Sequence, residues 1–145
     1  SGYQTGGMTM HIFILDTLPD LSLTKNARRG GGASHWATQA NATRIERQRA
    51  YVLLRQAMQE APMSPLKIPS LPVAITFALC FGDNRRRDLD GAAAACASWI
   101  DALVDLKVME DDSTKYVRRL TYEALDGNPK RTEITVEDWS KGGTP

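Results

Sequence analysis

The pattern of apolar and polar positions divides the chain into short strands and two amphipathic helices. Residues 10–15 (MHIFIL) are rich in β-branched and aromatic side chains and predict a strand. Residues 37–60 contain neither Gly nor Pro, which permits a long helix. Tyr51, Leu54 and Met58 recur at helical spacing in its second half, whereas its first half is polar, with Arg44, Glu46, Arg47, Gln48 and Arg49. Pro62, Pro65, Pro69 and Pro72 then forbid a regular helix and mark an extended connection. Residues 73–81 (VAITFALCF) form a continuous apolar run, as expected of a strand covered on both faces. Leu89, Ala92, Ala93, Cys96, Ile100, Leu103 and Val104 fall on one stripe of a helix expected to run from about Leu89 or Gly91 to Lys107. Residues 116–123 alternate in polarity, Gly127-Asn128-Pro129 makes a turn, and residues 133–136 predict a last strand. The order β-α-β-α-β-β specifies an α/β (α+β) two-layer domain, a small mixed sheet packed by two helices.

Length and composition narrow this picture. A chain of 145 residues suits one domain, and 42% hydrophobic with 24% charged residues is ordinary for a globular protein. No apolar run approaches the ~18–20 residues needed to span a bilayer. Residues 1–9, opening SGYQTGG, are expected to be a flexible tail, with the single domain occupying residues 10–145. The run Arg28-Arg29-Gly30-Gly31-Gly32-Ala33-Ser34 is expected to be a mobile loop. Cys80 lies in the apolar run and Cys96 on the helix stripe, so two buried free thiols are expected. No CxxC spacing or Cys/His cluster suggests zinc, and a reducing cytoplasm fits. The net charge of +1 conceals clusters. Arginines gather at Arg28 and Arg29, at Arg44, Arg47 and Arg49, at Arg85, Arg86 and Arg87, and at Arg118 and Arg119. Acids gather at Asp88 and Asp90 and at Glu110, Asp111 and Asp112. A local basic face attracts phosphate even where the total charge is near zero.

The chemistry concentrates at Asp88-Leu89-Asp90, between the apolar run and the second helix. On an extended segment, residues two apart point the same way, so both carboxylates would face one point while Leu89 enters the core. Two carboxylates held close repel unless a cation lies between them. Hard oxygen donors with room for water suit Mg2+ or Mn2+. Asp111 and Asp112 offer a third carboxylate before the next strand, but the intervening helix leads away from Asp90, and the sequence does not itself bring Asp112 back. Each feature has a plainer reading alone: an N-cap for the DxD, a solvated turn for Asp111-Asp112-Ser113, a solvated charge run for the arginines. Together, three arginines abutting two acids suit a site where metal and phosphate meet. An EF-hand is excluded: with Gly91 at loop position 6, Arg86 and Ala97 would occupy the first and last ligand positions.

Arg85-Arg86-Arg87-Asp88-Leu89-Asp90, a helix carrying Asp101-Ala102-Leu103, and then Val108-Met109-Glu110-Asp111-Asp112-Ser113 resemble the core of RusA-type Holliday junction resolvases. Upstream, Leu18-Pro19 and Leu23-Thr24-Lys25-Asn26 resemble that family's Pro-rich loop ending in Asn. The resemblance is densest over residues 81–122. It implies a homodimeric, Mg2+-dependent endodeoxyribonuclease, with Mn2+ as a substitute ion, that resolves four-way DNA junctions by paired symmetric nicks in recombination and repair. The family's setting is cytoplasmic, in bacteria or phage. Asp88, Asp90 and Asp112 match its metal-binding catalytic aspartates, with Asp111 as a neighbouring ligand. Arg85, Arg86, Arg87, Arg28, Arg29, Lys25, Asn26, Lys115 and Arg118 are the corresponding candidates for DNA contact. Two departures stand out. Gly91 replaces the family's Asn, and the Lys one turn into the helix is absent: Ala92-Ala93-Ala94-Ala95 occupies that turn, with no Lys before Lys107. Arg28, Arg29, Lys115 or Arg118 could supply the missing cation; otherwise the alternative is a catalytically weak or inactive junction-binding module. His35 and Trp36 either stack on an exposed base or anchor the helix start. Trp99 and Trp139 are expected to serve core or edge packing.

Overall fold

The computed structural model describes residues 2–5, 8–23, 33–60, 72–83, 85 and 87–139. Its elements are β1 (Gly2–Thr5), β2 (Met8–Leu15), α1 (Ala33–Glu60), β3 (Val73–Cys80), α2 (Leu89–Ala95), α3 (Ala97–Asp105), β4 (Val117–Leu125) and β5 (Arg131–Asp138). The five strands form one mixed sheet in the order β1-β2-β5-β3-β4. All neighbours are antiparallel except β3 and β4, which α2 and α3 connect as a crossover. The two-layer α+β architecture is therefore the expected one.

One face of the sheet carries the core. Register aligns Phe13, Ile134 and Phe77 across three strands, and His11, Val136 and Ile75 beside them. These pack with Ala50 and Leu54 of α1 and with Trp99, Leu103 and Met109. β3 lies between β5 and β4 and is almost wholly buried, as its apolar run predicts. Its outer-face residues Ala74 and Ala78 are small enough to be shielded by longer neighbours on the flanking strands. Both cysteines are buried free thiols, and Trp99 is fully buried. Trp139 sits half-buried at the end of β5 beneath the Arg119 guanidinium, 5.3 Å from its ring.

Three expectations need correction. Residues 1–9 are not simply a tail: β1 pairs antiparallel with β2, Gly2 opposite His11 and Thr5 opposite Met8, and β2 begins at Met8. The signal in the sequence is Gly6-Gly7, a pair suited to closing a hairpin. Ala33 and Ser34 belong to α1, not to the glycine-rich loop; the helix starts as soon as the last glycine is passed. The second helix is interrupted at Cys96, whose thiol donates to Ala92 O (3.5 Å) while its N–H bonds Ala93 O (3.0 Å). A side chain competing for the carbonyl four residues back tightens and bends a helix.

α3 ends in a Schellman motif. Val108 N–H bonds Leu103 O and Lys107 N–H bonds Val104 O, both at 3.0 Å, with Val108 and Leu103 buried together. The motif forces Lys107 to φ 64, a left-handed conformation that glycine adopts without steric cost. Lys107→Gly is expected to stabilise the domain by about 1 kcal/mol, read as a shift in the urea midpoint at constant slope.

His11 is 1% exposed, and neither ring nitrogen has a hydrogen-bond partner among the described residues. Burial lowers its pKa below the ordinary 6.5. Below pH 6.5 the unfolded chain therefore binds more protons than the folded one, so stability present above that pH is lost as acid approaches the lowered value. His11→Leu is expected to flatten this acid limb in urea melts. Removing two buried orphan polar atoms should also stabilise the neutral protein by roughly 1–3 kcal/mol.

Candidate functional site

β3 delivers the chain to the DxD. Gly82, at φ +75, turns it where a Cβ would lie only 3.1 Å from Lys130 N. Asp83 then organises the arginines: it accepts from Arg85 N–H (3.1 Å) and from Arg87 Nη2 (2.7 Å). Arg87 also lies 5.1 Å over the Phe81 ring. The Arg87 hydrogen bond, foremost, holds the Asp83 carboxyl below its ordinary pKa. Arg85 stays exposed.

Asp88 is the N-cap of α2, with φ −105 and ψ 109, and its Oδ1 accepts from Asp90 N–H at 3.1 Å. Asp90 is already in the first helical turn. The expectation of one extended segment presenting both carboxylates is thus corrected: the plainer N-cap reading holds for Asp88, and the cap bond turns its carboxyl toward Asp90. Both side chains are exposed, Leu89 is half-buried and Gly91 is buried. In the turn where the resemblance calls for Lys, Ala92 and Ala95 are buried, and Ala93 and Ala94 are half-buried.

Asp111 and Asp112 lie in an exposed turn after the buried pair Val108 and Met109; Tyr116 N–H and Val117 N–H both bond Ser113 O at 2.9 Å. Hydrogen bonding from Ser113, foremost, lowers the Asp111 pKa. Around this turn the structure gathers residues that the sequence did not bring together. Arg47 of α1 pairs bidentately with Asp105 (2.8 and 2.7 Å) and feels Asp101 and Asp112. The Asp101 carboxyl is raised, first by burial and then by Asp112 and Asp105, against the opposing pull of Arg47. A groove bounded by Arg44, Arg47, Gln48, Tyr51, Val52 and Asp105 runs beside this cluster. Arg47 and Asp105 are 58 positions apart, so no local signal could have paired them. Lys115 lies 5.4 Å over the Tyr116 ring, and Arg118 is exposed where β4 bulges.

The two acidic motifs do not meet within one chain. Val73 pairs with Val117 and Cys80 with Leu125, so β3 and β4 start at the same end of the sheet. Asp88 and Asp90 follow the far end of β3, and Asp112 precedes the near end of β4. An eight-residue strand separates the two ends by roughly 25 Å at ~3.3 Å per residue, and α2 with α3 spans a similar length at ~1.5 Å per residue. Among the described residues, no group of three or more His, Cys, Asp or Glu side chains could hold a metal ion. The donors of a single chain therefore do not fit the three-carboxylate Mg2+ site that the resemblance implies.

Lys25, Asn26, Arg28, Arg29 and Arg86 lie outside the described residues, as do the side chains of His35 and Trp36. Among the described residues, no helix is long and apolar enough to cross a membrane. Comparison with protein-family models and with curated proteins found no match.

Proposed function

We propose that the protein is a structure-selective endodeoxyribonuclease acting on four-way DNA junctions, as a homodimer in which each site takes Asp88 and Asp90 from one copy and Asp112, with Asp111 beside it, from the other. The observation that carries this reading is the grouping along the chain of exposed acids with exposed cations at both ends of the β3–β4 unit: Asp88 and Asp90 a few residues after Arg85, and Asp111 and Asp112 a few residues before Lys115. A single chain holds two halves of different sites, and a twofold axis turns two halves into two whole ones. Carboxylate oxygens select Mg2+, or Mn2+, over softer ions. Arg85, Arg86 and Lys115 would bind flanking phosphates, which positions the DNA without reading its sequence. Arg87, committed to Asp83 and Phe81, is a positioning residue for that loop. A twofold pair of sites suits paired, symmetric nicks.

The test is a synthetic four-way junction offered against linear duplex, with and without Mg2+. The expected result is preferential cutting of the junction by wild type, and loss of cutting with retained binding in Asp90→Asn. Intact junctions with both Mg2+ and Mn2+ would sink the nuclease reading. One observation favours the second reading, an inactive junction-binding module: alanines fill the turn where a catalytic Lys is expected. That module would bind junctions with strong salt dependence and cut nothing.

A further inference from the structure

We infer that the protein dimerises by antiparallel pairing of two β4 edge strands about a twofold axis through Thr121. β4 ends the sheet, and Arg118, Arg119, Leu120, Glu123 and Ala124 are exposed along it. The backbone groups it leaves unpaired among the described residues can be assigned. Trp139 N–H bonds Pro72 O and Val73 N–H bonds Tyr116 O, so even-numbered residues of β3 face β5 and odd-numbered ones face β4. With Ile75 opposite Leu120 and Phe77 opposite Tyr122, a parallel ladder uses the backbone groups of Arg119, Thr121 and Glu123. The N–H and C=O groups of Leu120, Tyr122 and Ala124 then point to the open edge.

A second β4 can use those groups only in registers that pair even positions with even positions. Of these, the register centred on Thr121 is complementary in side chains as well. It sets Leu120 against the partner's Tyr122, twice, on the core face, and Arg119 against the partner's Glu123, twice, on the outer face. Leu120 is a 40% exposed leucine on a strand edge. Tyr122 is anchored by stacking on Phe77, with ring centroids 5.8 Å apart. Among the described residues, Arg119 is held by a 3.5 Å contact to Glu137 and by Trp139. Glu123 has no hydrogen-bond or ion-pair partner among the described residues. Shifting the register by two residues in either direction removes both ion pairs and sets Leu120 or Tyr122 against its own copy. Charges on an edge strand ordinarily guard against pairing; here their order is complementary to its own reverse, which selects one partner and one register.

The same axis has a consequence for the site, which rests on the nuclease reading above. Antiparallel pairing places the start of β4, with Asp112 before it, beside the end of the partner's β4. The end of the partner's β3, which leads to Asp88 and Asp90, is one strand further in. The strand ends that lead to the two half-sites then lie at one end of a ten-stranded sheet, about two strand spacings (~10 Å) apart. The dimer that the strand edge favours is the one that the separated acids require.

Sedimentation equilibrium of the full chain tests the interface without DNA or metal. Wild type is expected to be a dimer at tens of micromolar. Glu123→Arg and Arg119→Glu should each weaken it, by roughly a hundred-fold in Kd, because each turns two attractive pairs into repulsive ones. The double variant Arg119→Glu/Glu123→Arg should restore the dimer, which a folding defect would not. Thr121→Cys should cross-link across the axis on mild oxidation, since directly opposed residues in a non-hydrogen-bonded pair suit a disulfide. A monomeric wild type, or a dimer indifferent to both charge reversals, overturns the interface. A dimer that obeys the charge swap but never cuts a junction leaves the interface standing and removes only the nuclease reading.

Discussion

Replacing Glu46 with alanine is expected to destabilise the domain by about 3–5 kcal/mol, the range for removing one partner of a buried charged network. Glu46 is 3% exposed in the middle of α1, where an acid needs several donors to be tolerated. It has them. Oε2 accepts from Asp20 N–H (2.7 Å), Trp99 Nε1 (2.8 Å) and Arg49 Nη2 (2.9 Å), and Oε1 accepts from Arg49 Nε (2.8 Å). Arg49 passes the connection on to Leu18 O (2.8 Å) and lies 5.5 Å over the Trp99 ring. One carboxylate thus ties α1 to α3 and to the loop after β2. Alanine would leave the Trp99 indole N–H and the Asp20 amide without an acceptor in a closed joint, and unsatisfied buried donors carry most of the cost. Glu46→Gln keeps the volume and one acceptor oxygen, so its penalty should be smaller, about 1–3 kcal/mol. Urea denaturation of the two variants decides the matter; a loss below 1 kcal/mol for alanine would mean that packing alone holds these elements together.

That network marks the boundary of what the sequence makes legible. The strands and helices with strong periodicity are readable because period reports which face is buried. β3 is a case in point, and the helix stripe is one in part: Cys96 and Leu103 are fully buried, Ile100 and Val104 half-buried, while Trp99 and Ala102, off the predicted stripe, are buried as well. Glu46, by contrast, reads as one more charge in a polar stretch. Only the fold brings Trp99, 53 positions away, to its carboxylate. β1 escaped because a four-residue strand beginning Gly-Tyr has too little pattern to rise above a tail. The break at Cys96 escaped because its cause is a thiol bonding to a carbonyl, which leaves the hydrophobic stripe on either side in phase.

At the site, local features were readable and distant ones were not. The DxD, the adjoining arginines and the paired acids were all visible as short runs. Capping of α2 by Asp88 was visible too, as the plainer reading of the same residues. The separation of Asp112 from Asp90 follows from chain direction. A strand, a helix and a second, parallel strand place the two ends of the helix at opposite ends of the sheet, so acids flanking that helix stay apart in one chain. The company Asp112 keeps instead, Arg47, Asp101 and Asp105, comes from packing α1 against α3, which no run of residues announces.

Mixing two inactive variants is expected to restore cutting, and this is the sharpest expectation of the shared-site reading. Asp90→Asn and Asp112→Asn should each lower junction cleavage on the order of a hundred- to a thousand-fold, the usual effect of removing one preorganised charge at a reacting phosphate. Refolded together, they form mixed dimers in about half of the random pairings expected of a twofold assembly. If each site takes its acids from both copies, one site of a mixed dimer collects both substitutions and the other collects neither. The mixture should then regain roughly a quarter of wild-type sites, each alone in its dimer, so the product should be single nicks instead of paired cuts. If the acids of each site come from one chain, every site keeps one substitution and mixing restores nothing. Nicked and fully resolved junctions separate on a denaturing gel. Recovery of paired cuts, or none at all from variants that demonstrably exchange subunits, would refute a site shared across the axis.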